Sequence, residues 1–283
     1  MTLYRGKHNH LPRRISERVI DALLLRGHVA NWSKRLHLQG KLSVTEHSVK
    51  LSPERALVRP LKIAFASDFH AGPTTWPGIF DDLFQAITAQ QPDLLLLGGD
   101  FVSCRAEYIS AFSSLLAACR PLMGKYAVFG NHDLWVDEAH LTEELQQAGV
   151  SMLVNRRIDL PAPFESVSIC GIDDPWTGVP DFNAAFADAR QTRILLMHAP
   201  DGLLQLGRHR FDAAFAGHTH GGQVALKDGT PIVLPNGPLC RQFHYGRFEI
   251  EQNGSLFVSR GVGCSTLPVR LNADPELVIV CLQ

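Results

Sequence analysis

Five short apolar runs in this chain each stop at residues able to hold a metal ion. Leu61–Ser67 is followed by Asp68 and His70, and Leu94–Leu97 by Gly98, Gly99 and Asp100. Tyr126–Phe129 leads into Gly130, Asn131, His132 and Asp133. Ile194–Met197 leads into His198, and Ala213–Ala216 into Gly217, His218, Thr219, His220, Gly221 and Gly222. Each run is of strand length and too short for a helix. In open sheets ligands bind at the carboxyl ends of strands, so the five ends are expected to meet in one crevice.

Helical stretches separate several of these runs. Pro77 opens one, with Asp81 and Asp82 in its first turns and Ile79, Phe80, Leu83, Phe84 and Ile87 on its apolar face. Glu107–Cys119 reads as a second. A third, capped by Asp137, runs to Gly149. Asp181 is expected to cap a helix through Arg190, and Asp201 a short one that Gly207 ends. Further strands are expected at Val44–Leu51, Ser151–Val154, Val167–Ile172, Gln223–Leu226, Ile232–Leu234, Arg247–Ile250, Leu256–Ser259 and Leu277–Leu282. Alternating strands and helices with a strand-rich tail imply mixed α/β layers around one core.

The 283 residues are 45% hydrophobic and 19% charged, enough to bury a sizeable core and unlike a disordered, collagenous or coiled-coil chain. The net charge of −1 hides an asymmetry: residues 1–60 carry 12 Lys+Arg against 4 Asp+Glu. Residues 61–283 are acidic. The chain therefore divides into a basic lead-in of helix and strand, 1–60, and a main domain, 61–283. Within the lead-in, residues 12–37 read as a basic helix with Leu25, Val29, Trp32 and Leu36 on one face. Such a segment either packs on the body as a solvated helix or meets an anionic surface such as membrane lipid. The body lacks the clustered basic and aromatic residues of a nucleic-acid reader, so nucleic acid is not an expected partner.

The six cysteines form no Cys-x-x-Cys pair and sit mostly in apolar stretches, as expected of reduced thiols in a cytoplasmic protein. Ala22–Leu25 is too short to be a signal-peptide core, and no run has the ~18 apolar residues of a membrane span. The expected location is cytoplasmic, with peripheral contact at the inner membrane as an extension of the basic segment.

The residue types fit a shared metal centre. Asp68 and His70 lie two apart on an extended turn and share a face. Asp100 has two oxygens with which to bridge two cations, Asn131 supplies a neutral amide oxygen, and His198, His218 and His220 supply imidazoles. With no thiolate in the set, manganese, iron, cobalt or zinc suits it better than a thiolate-rich zinc site would. Arg241, Arg260 and Arg270, in Gly/Pro-rich loops of the tail, are candidates for binding a substrate phosphate. Trp76 and Trp176, in Pro-rich loops, either line a pocket or pack in the core or at a rim, packing being the expected role.

Asp68-x-His70, Gly99-Asp100, Gly130-Asn131-His132-Asp133, His198 and Gly217-His218-x-His220 together resemble the calcineurin-like metallophosphoesterase superfamily over roughly residues 61–283. The extended forms SDFH, GGD, GNHD and GHTHGGQ are similar to its bacterial branch of small phosphodiesterases, which includes a UDP-2,3-diacylglucosamine pyrophosphatase of lipid A synthesis. The resemblance implies a four-layer α/β/β/α sandwich with two divalent metal ions, manganese first among the candidates. It gives Asp68, His70, Asp100 and His220 to one metal and Asp100, Asn131, His198 and His218 to the other. His132 becomes the acid or charge stabiliser for the leaving oxygen. The implied reaction is in-line attack by a metal-bridging hydroxide on a phosphodiester or pyrophosphate, with a phosphoester or a nucleotide-diphosphate lipid as substrate. One departure stands out. The protein Ser/Thr phosphatase branch pairs its catalytic histidine with a carboxylate three residues after the bridging Asp, where this chain has Ser103. That argues against a phosphoprotein phosphatase and leaves the partner of His132 open. A non-catalytic scaffold is disfavoured because all seven ligand positions are filled.

Overall fold

The computed structural model describes Val19 and residues 21–283. Its strands, in chain order, are β1 (Ser43–Val49), β2 (Leu61–Ala66), β3 (Leu94–Leu97), β4 (Lys125–Ala127), β5 (Val150–Met152), β6 (Arg156–Asp159), β7 (Val167–Gly171), β8 (Thr192–Leu196), β9 (Ala213–Ala216), β10 (Gly246–Glu249), β11 (Ser255–Val258) and β12 (Glu276–Leu282). They form two mixed sheets, ordered β1-β12-β2-β3-β4-β5 and β10-β11-β9-β8-β7-β6. Strands β2 to β5 run parallel, as do β7, β8, β9 and β11, so the ligand-bearing ends within each sheet point the same way.

Side-chain alternation builds the layers. On β2, Ile63 and Phe65 face the space between the sheets, while Ala64 and Ala66 face outward. On β3, Leu94 and Leu96 face in, and Leu95 and Leu97 face out. The all-leucine run of β3 is what a parallel strand covered on both faces requires. From the second sheet, Ile194, Leu196 and Phe215 meet the first across this inner core. Helices α2 (Gly78–Gln90), α3 (Ser113–Ala118) and α4 (Glu138–Gln147) cover the outside of the first sheet. Helix α5 (Phe182–Phe186) covers the second. The result is the expected four-layer α/β/β/α arrangement.

Several local expectations change. The helix expected over Glu107–Cys119 is a 3-10 segment, Ala106–Ala111, then α3, broken at Phe112 with φ −143°. The break turns the Phe112 ring into the core, 5.0 Å from Phe69 and 4.9 Å from Phe80. The helix capped by Asp181 ends at Phe186 rather than Arg190. Gln223–Leu226 and Ile232–Leu234 are not strands; they make only isolated bridges, Val224 to Leu271 and Ala225 to Pro231. Asp201 lies inside a 3-10 turn, Pro200–Gln205, and its carboxylate accepts from the Leu239 N–H at 2.8 Å and the Trp176 indole at 3.3 Å.

Of the basic helix expected over 12–37, residues 12–18 lie outside the described residues. The described part is interrupted at Arg26 and Gly27, whose φ angles are 52° and 97°, and resumes as α1 (His28–Arg35). Ala30 and Ser33 face the body, and Ser33 Oγ donates to the Pro268 carbonyl. These small residues allow close approach and turn Trp32 and Leu36 to the surface, 56% and 68% exposed. No described helix is long and apolar enough to cross a membrane.

Candidate metal centre

The five strand ends, β2, β3 and β4 from one sheet and β8 and β9 from the other, open into one crevice where the candidate ligands meet. Three groups each bring their ligand atoms within 4.8 Å of one another: Asp68, His70 and His220; His70, Asp100 and His132; and Asp100, His198 and His218. The contacts between groups are equally short. His70 Nε2 lies 3.1 Å from His220 Nε2 and 3.4 Å from Asp100 Oδ2. His198 Nε2 lies 3.1 Å from Asn131 Oδ1, 3.1 Å from His218 Nδ1 and 3.4 Å from Asp100 Oδ2. All seven residues are buried.

The backbone bends hard to achieve this. Asp68, His70, Asp100, His218 and His220 have φ of 53°, 42°, 52°, 69° and 52°. A non-glycine residue in this region costs roughly 1–2 kcal/mol, and such strain gathers where a site dictates geometry. Two glycines are fixed by crowding rather than conformation. A Cβ on Gly217 would overlap Ser67 Oγ and Asp68 Oδ2, and one on Gly130 would overlap Asp100 Oδ1 and the His198 ring.

Hydrogen bonds then aim the ligands. His198 Nδ1–H donates to the Gly98 carbonyl at 2.8 Å, which leaves its Nε2 lone pair facing the cluster. Asp68 accepts the His218 N–H with both oxygens at 3.0 Å and the Ser67 hydroxyl with Oδ2. Asp133 ties two of the loops together. Its Oδ2 accepts the N–H groups of Asp100 (2.7 Å) and Gly130 (2.9 Å), and its Oδ1 that of Phe101 (2.8 Å).

The electrostatics ask for a cation. Burial holds the imidazoles of His70 and His220 well below the usual histidine range and lowers His218 to about 3, so all three stay neutral, the form that binds metal. Burial opposes charge on His198 as well, but the Asp100 carboxylate outweighs it and raises that imidazole well above its ordinary value. Burial also raises Asp68 to about 6. The three neutral imidazoles, the His198 ring held against Asp100, two carboxylates and an amide oxygen converge on one space. The buried ring nitrogens His70 Nδ1 and His218 Nε2 have no hydrogen-bond partner. This donor set fits hard or borderline divalent cations.

His132 finds a partner that no side-chain motif reveals. Its Nδ1 donates to the backbone carbonyl of Ser103 at 2.8 Å, so a main-chain oxygen replaces the carboxylate of the Ser/Thr phosphatases. Asp133, its sequence neighbour, is engaged elsewhere. The Trp135 ring packs against His132 with centroids 4.5 Å apart, and Trp176 against His218 at 5.5 Å. Trp176 thus lines the site, whereas Trp76 packs under Lys34, 4.4 Å from its ring centroid.

None of the three arginines lines the cavity that opens from the candidate ligands. Arg270 is 2% exposed, and its guanidinium donates to the carbonyls of Gly263, Ala273 and Arg260 at 2.8–2.9 Å. One of its nitrogens also lies 3.2 Å from His220 Nδ1, so Arg270 braces the loop behind that ligand instead of facing a substrate. Arg260 lies over the Tyr245 ring and donates to Ser43 Oγ at 2.9 Å. Arg241 is exposed and outside the cavity that opens from the ligands.

The sequence model of the calcineurin-like phosphoesterases matches residues 61–222, the stretch that supplies every candidate ligand. Phosphodiesterase YaeI of Escherichia coli (strain K12) is 31% identical over 226 residues, 78% of this chain and 82% of YaeI. The chain belongs to the calcineurin-like phosphoesterase family. The metallophosphoesterase YkuE of Bacillus subtilis (strain 168), itself uncharacterised, is 29% identical over 86% of both chains. Among solved structures, Haemophilus influenzae NAD nucleotidase (NadN) aligns with a TM-score of 0.47 and 15% identity, over 72% of this chain and 45% of that one. The chain spans about half the length of the larger nucleotidases it matches. As a family member it is a metal-dependent phosphoesterase with a divalent metal centre.

Proposed function

We propose that this phosphoesterase hydrolyses phosphodiester bonds at a pair of divalent cations, manganese being the first candidate. Asp68, His70, Asp100 and His220 would hold one cation, and Asp100, Asn131, His198 and His218 the other. The observation that carries this reading is the convergence on Asp100 Oδ2, 3.4 Å from both His70 Nε2 and His198 Nε2, of two otherwise separate ligand groups. One carboxylate between two sets of imidazoles is the arrangement of a bridged pair. When bound, the cations supply an activated water and neutralise charge on the phosphoryl oxygens.

The chain's own residues do the rest. Two carboxylates against two divalent charges leave the centre net positive and attractive to a phosphate in an acidic body. His132, steadied by the Ser103 carbonyl, directs its other ring nitrogen to the cavity and delivers a proton to the leaving oxygen. The bond from phosphorus to the leaving oxygen breaks as one from the water oxygen forms, giving a phosphomonoester and an alcohol. The test is turnover of bis(p-nitrophenyl) phosphate in Mn²⁺. Wild-type protein hydrolyses it, and Asp100→Ala, folded by circular dichroism, does not. Undiminished turnover by that variant refutes the reading.

A narrower reading, cleavage of the pyrophosphate of UDP-2,3-diacylglucosamine, gains support from Val224, Val233, Leu234 and Leu267, which line the cavity that opens from the candidate ligands. UMP release from that lipid tests it, and release no faster than from a metal-only control rejects it.

A further inference from the structure

The two ligand groups differ in what stands behind their histidines. In one group, His198 Nδ1–H donates to the Gly98 carbonyl at 2.8 Å. In the other, His220 Nδ1 faces a guanidinium nitrogen of Arg270 at 3.2 Å. A histidine that ligates through Nε2 keeps its hydrogen on Nδ1, and an acceptor behind it orients the ring and makes it a better ligand. Arg270 can only donate. Cation binding at His220 therefore sets two N–H groups against each other, whereas at His198 it keeps a hydrogen bond.

Arg270 is fixed where it stands. It is 2% exposed, and its Nε, Nη1 and Nη2 donate to the carbonyls of Gly263, Ala273 and Arg260 at 2.9, 2.9 and 2.8 Å. Gly263 N–H in turn donates to Asp68 O at 2.7 Å and Val262 N–H to Ser67 O at 2.9 Å, so the loop that grips the guanidinium is laced to the Asp68 turn. From the other side, Arg270 N–H donates to Leu38 O at 2.6 Å. Among the described residues no carboxylate pairs with the guanidinium, which leaves its charge to act on the ligands beside it.

The charges do not reverse this disadvantage. Asp68 gives its group a negative charge where the other has the neutral Asn131, and Arg270 brings a positive charge back. Asp68 is also committed elsewhere: both its oxygens accept the His218 N–H at 3.0 Å, and Oδ2 accepts the Ser67 hydroxyl. The other two rings balance, since His70 Nδ1 and His218 Nε2 both lack a hydrogen-bond partner. The carbonyl behind His198 and the guanidinium behind His220 are what distinguish the groups.

Resting on the proposed pair of cations, we infer that Arg270 weakens the position formed by Asp68, His70 and His220. The cation there loads last and exchanges, while the one at Asn131, His198 and His218 is retained. Asp100 serves both. Arg270 acts through His220, as a positioning residue that sets the affinity of one cation.

The experiment is Mn²⁺ binding to the full chain by equilibrium dialysis with metal analysis, joined to anomalous difference maps from its crystals. Wild-type protein is expected to take up two ions in two steps with midpoints about tenfold or more apart. At a free Mn²⁺ level between them, the map shows a peak against His198 and His218 and none against His220. Arg270→Gln removes the charge and offers an amide oxygen to Nδ1–H, so it tightens the weaker step about tenfold and leaves the tighter one within about twofold. Arg270→Lys keeps a donor-only cation and keeps the gap. Coincident steps in the wild-type protein, a first peak against His220, or a gap that Arg270→Gln leaves unchanged or widens overturns the inference. Where Arg270→Gln does not fold, the wild-type steps and map decide. Uptake of fewer than two ions at saturation overturns the paired-cation reading itself.

Discussion

His132 shows how a single residue can be placed by something without a sequence signature. Its ring is oriented by the carbonyl of Ser103 at 2.8 Å, a contact any residue type at that position would offer. His132→Ala is therefore expected to lower kcat by about 10²–10⁴. Ser103→Ala keeps the carbonyl and loses the Oγ contacts to His70 O at 3.1 Å and Thr74 Oγ1 at 3.4 Å, worth about 1 kcal/mol of stability. Steady-state kinetics on both variants checks this, and an equal loss in the two would contradict it. Titration gives a second expectation at this scale. Asp68 is raised to about 6 by burial, so between its unfolded value of 3.8 and about 6 the folded metal-free protein holds a proton that the unfolded chain lacks. That proton occupies a ligand oxygen, and cation binding must displace it. His218 runs the other way: lowered to about 3, it stays neutral in the fold while the unfolded chain protonates below 6.5, which removes stability as pH falls through that window. The His218 effect lowers the stability of the metal-free and metal-loaded protein alike, whereas the Asp68 proton weakens cation binding itself. The rise in Tm on adding Mn²⁺ is expected to be large at pH 7.5 and to shrink below pH about 6. A metal-induced shift that grows on acidification would refute it.

At the scale of elements, much was legible because the signals are local. The five apolar runs correspond to strands β2, β3, β4, β8 and β9, and a metal-type side chain follows each within four residues. Asp137 caps α4 through the His140 N–H as its spacing predicts. What was not legible depended on distant partners. Phe112 breaks its helix to reach Phe69 and Phe80, Arg270 is drawn into the core by three carbonyls, and the hairpin from Val224 to Ile232 has too few ladder bonds to count as strands. The face of α1 also turned opposite to its hydrophobic pattern, because Ala30 and Ser33 fit the body more closely than Trp32 and Leu36 would. That leaves Trp32 and Leu36 outward beside Lys34 and Arg35, a pattern suited to an anionic lipid surface. Flotation with phosphatidylglycerol vesicles is expected to retain the wild-type protein at low salt and to lose the Trp32→Asp/Leu36→Asp variant. Equal partitioning of the two would remove α1 from any membrane role.

At the scale of the molecule, two facing sheets turn five chain segments between residues 68 and 220 into one site. The inner core of Ile63, Phe65, Leu94, Leu96, Ile194, Leu196 and Phe215 holds the sheets together, so the ligands of one sheet meet those of the other at a shared edge. Each sheet alone holds only part of the ligand set, and Asp100 joins the two parts. This account is tested most directly by a crystal structure of the Mn²⁺-soaked chain with an anomalous difference map at the manganese edge. Two peaks about 3.5–4 Å apart, one on each side of the Asp100 carboxylate, are predicted. No peak within the cluster, or a single peak away from Asp100, would contradict it.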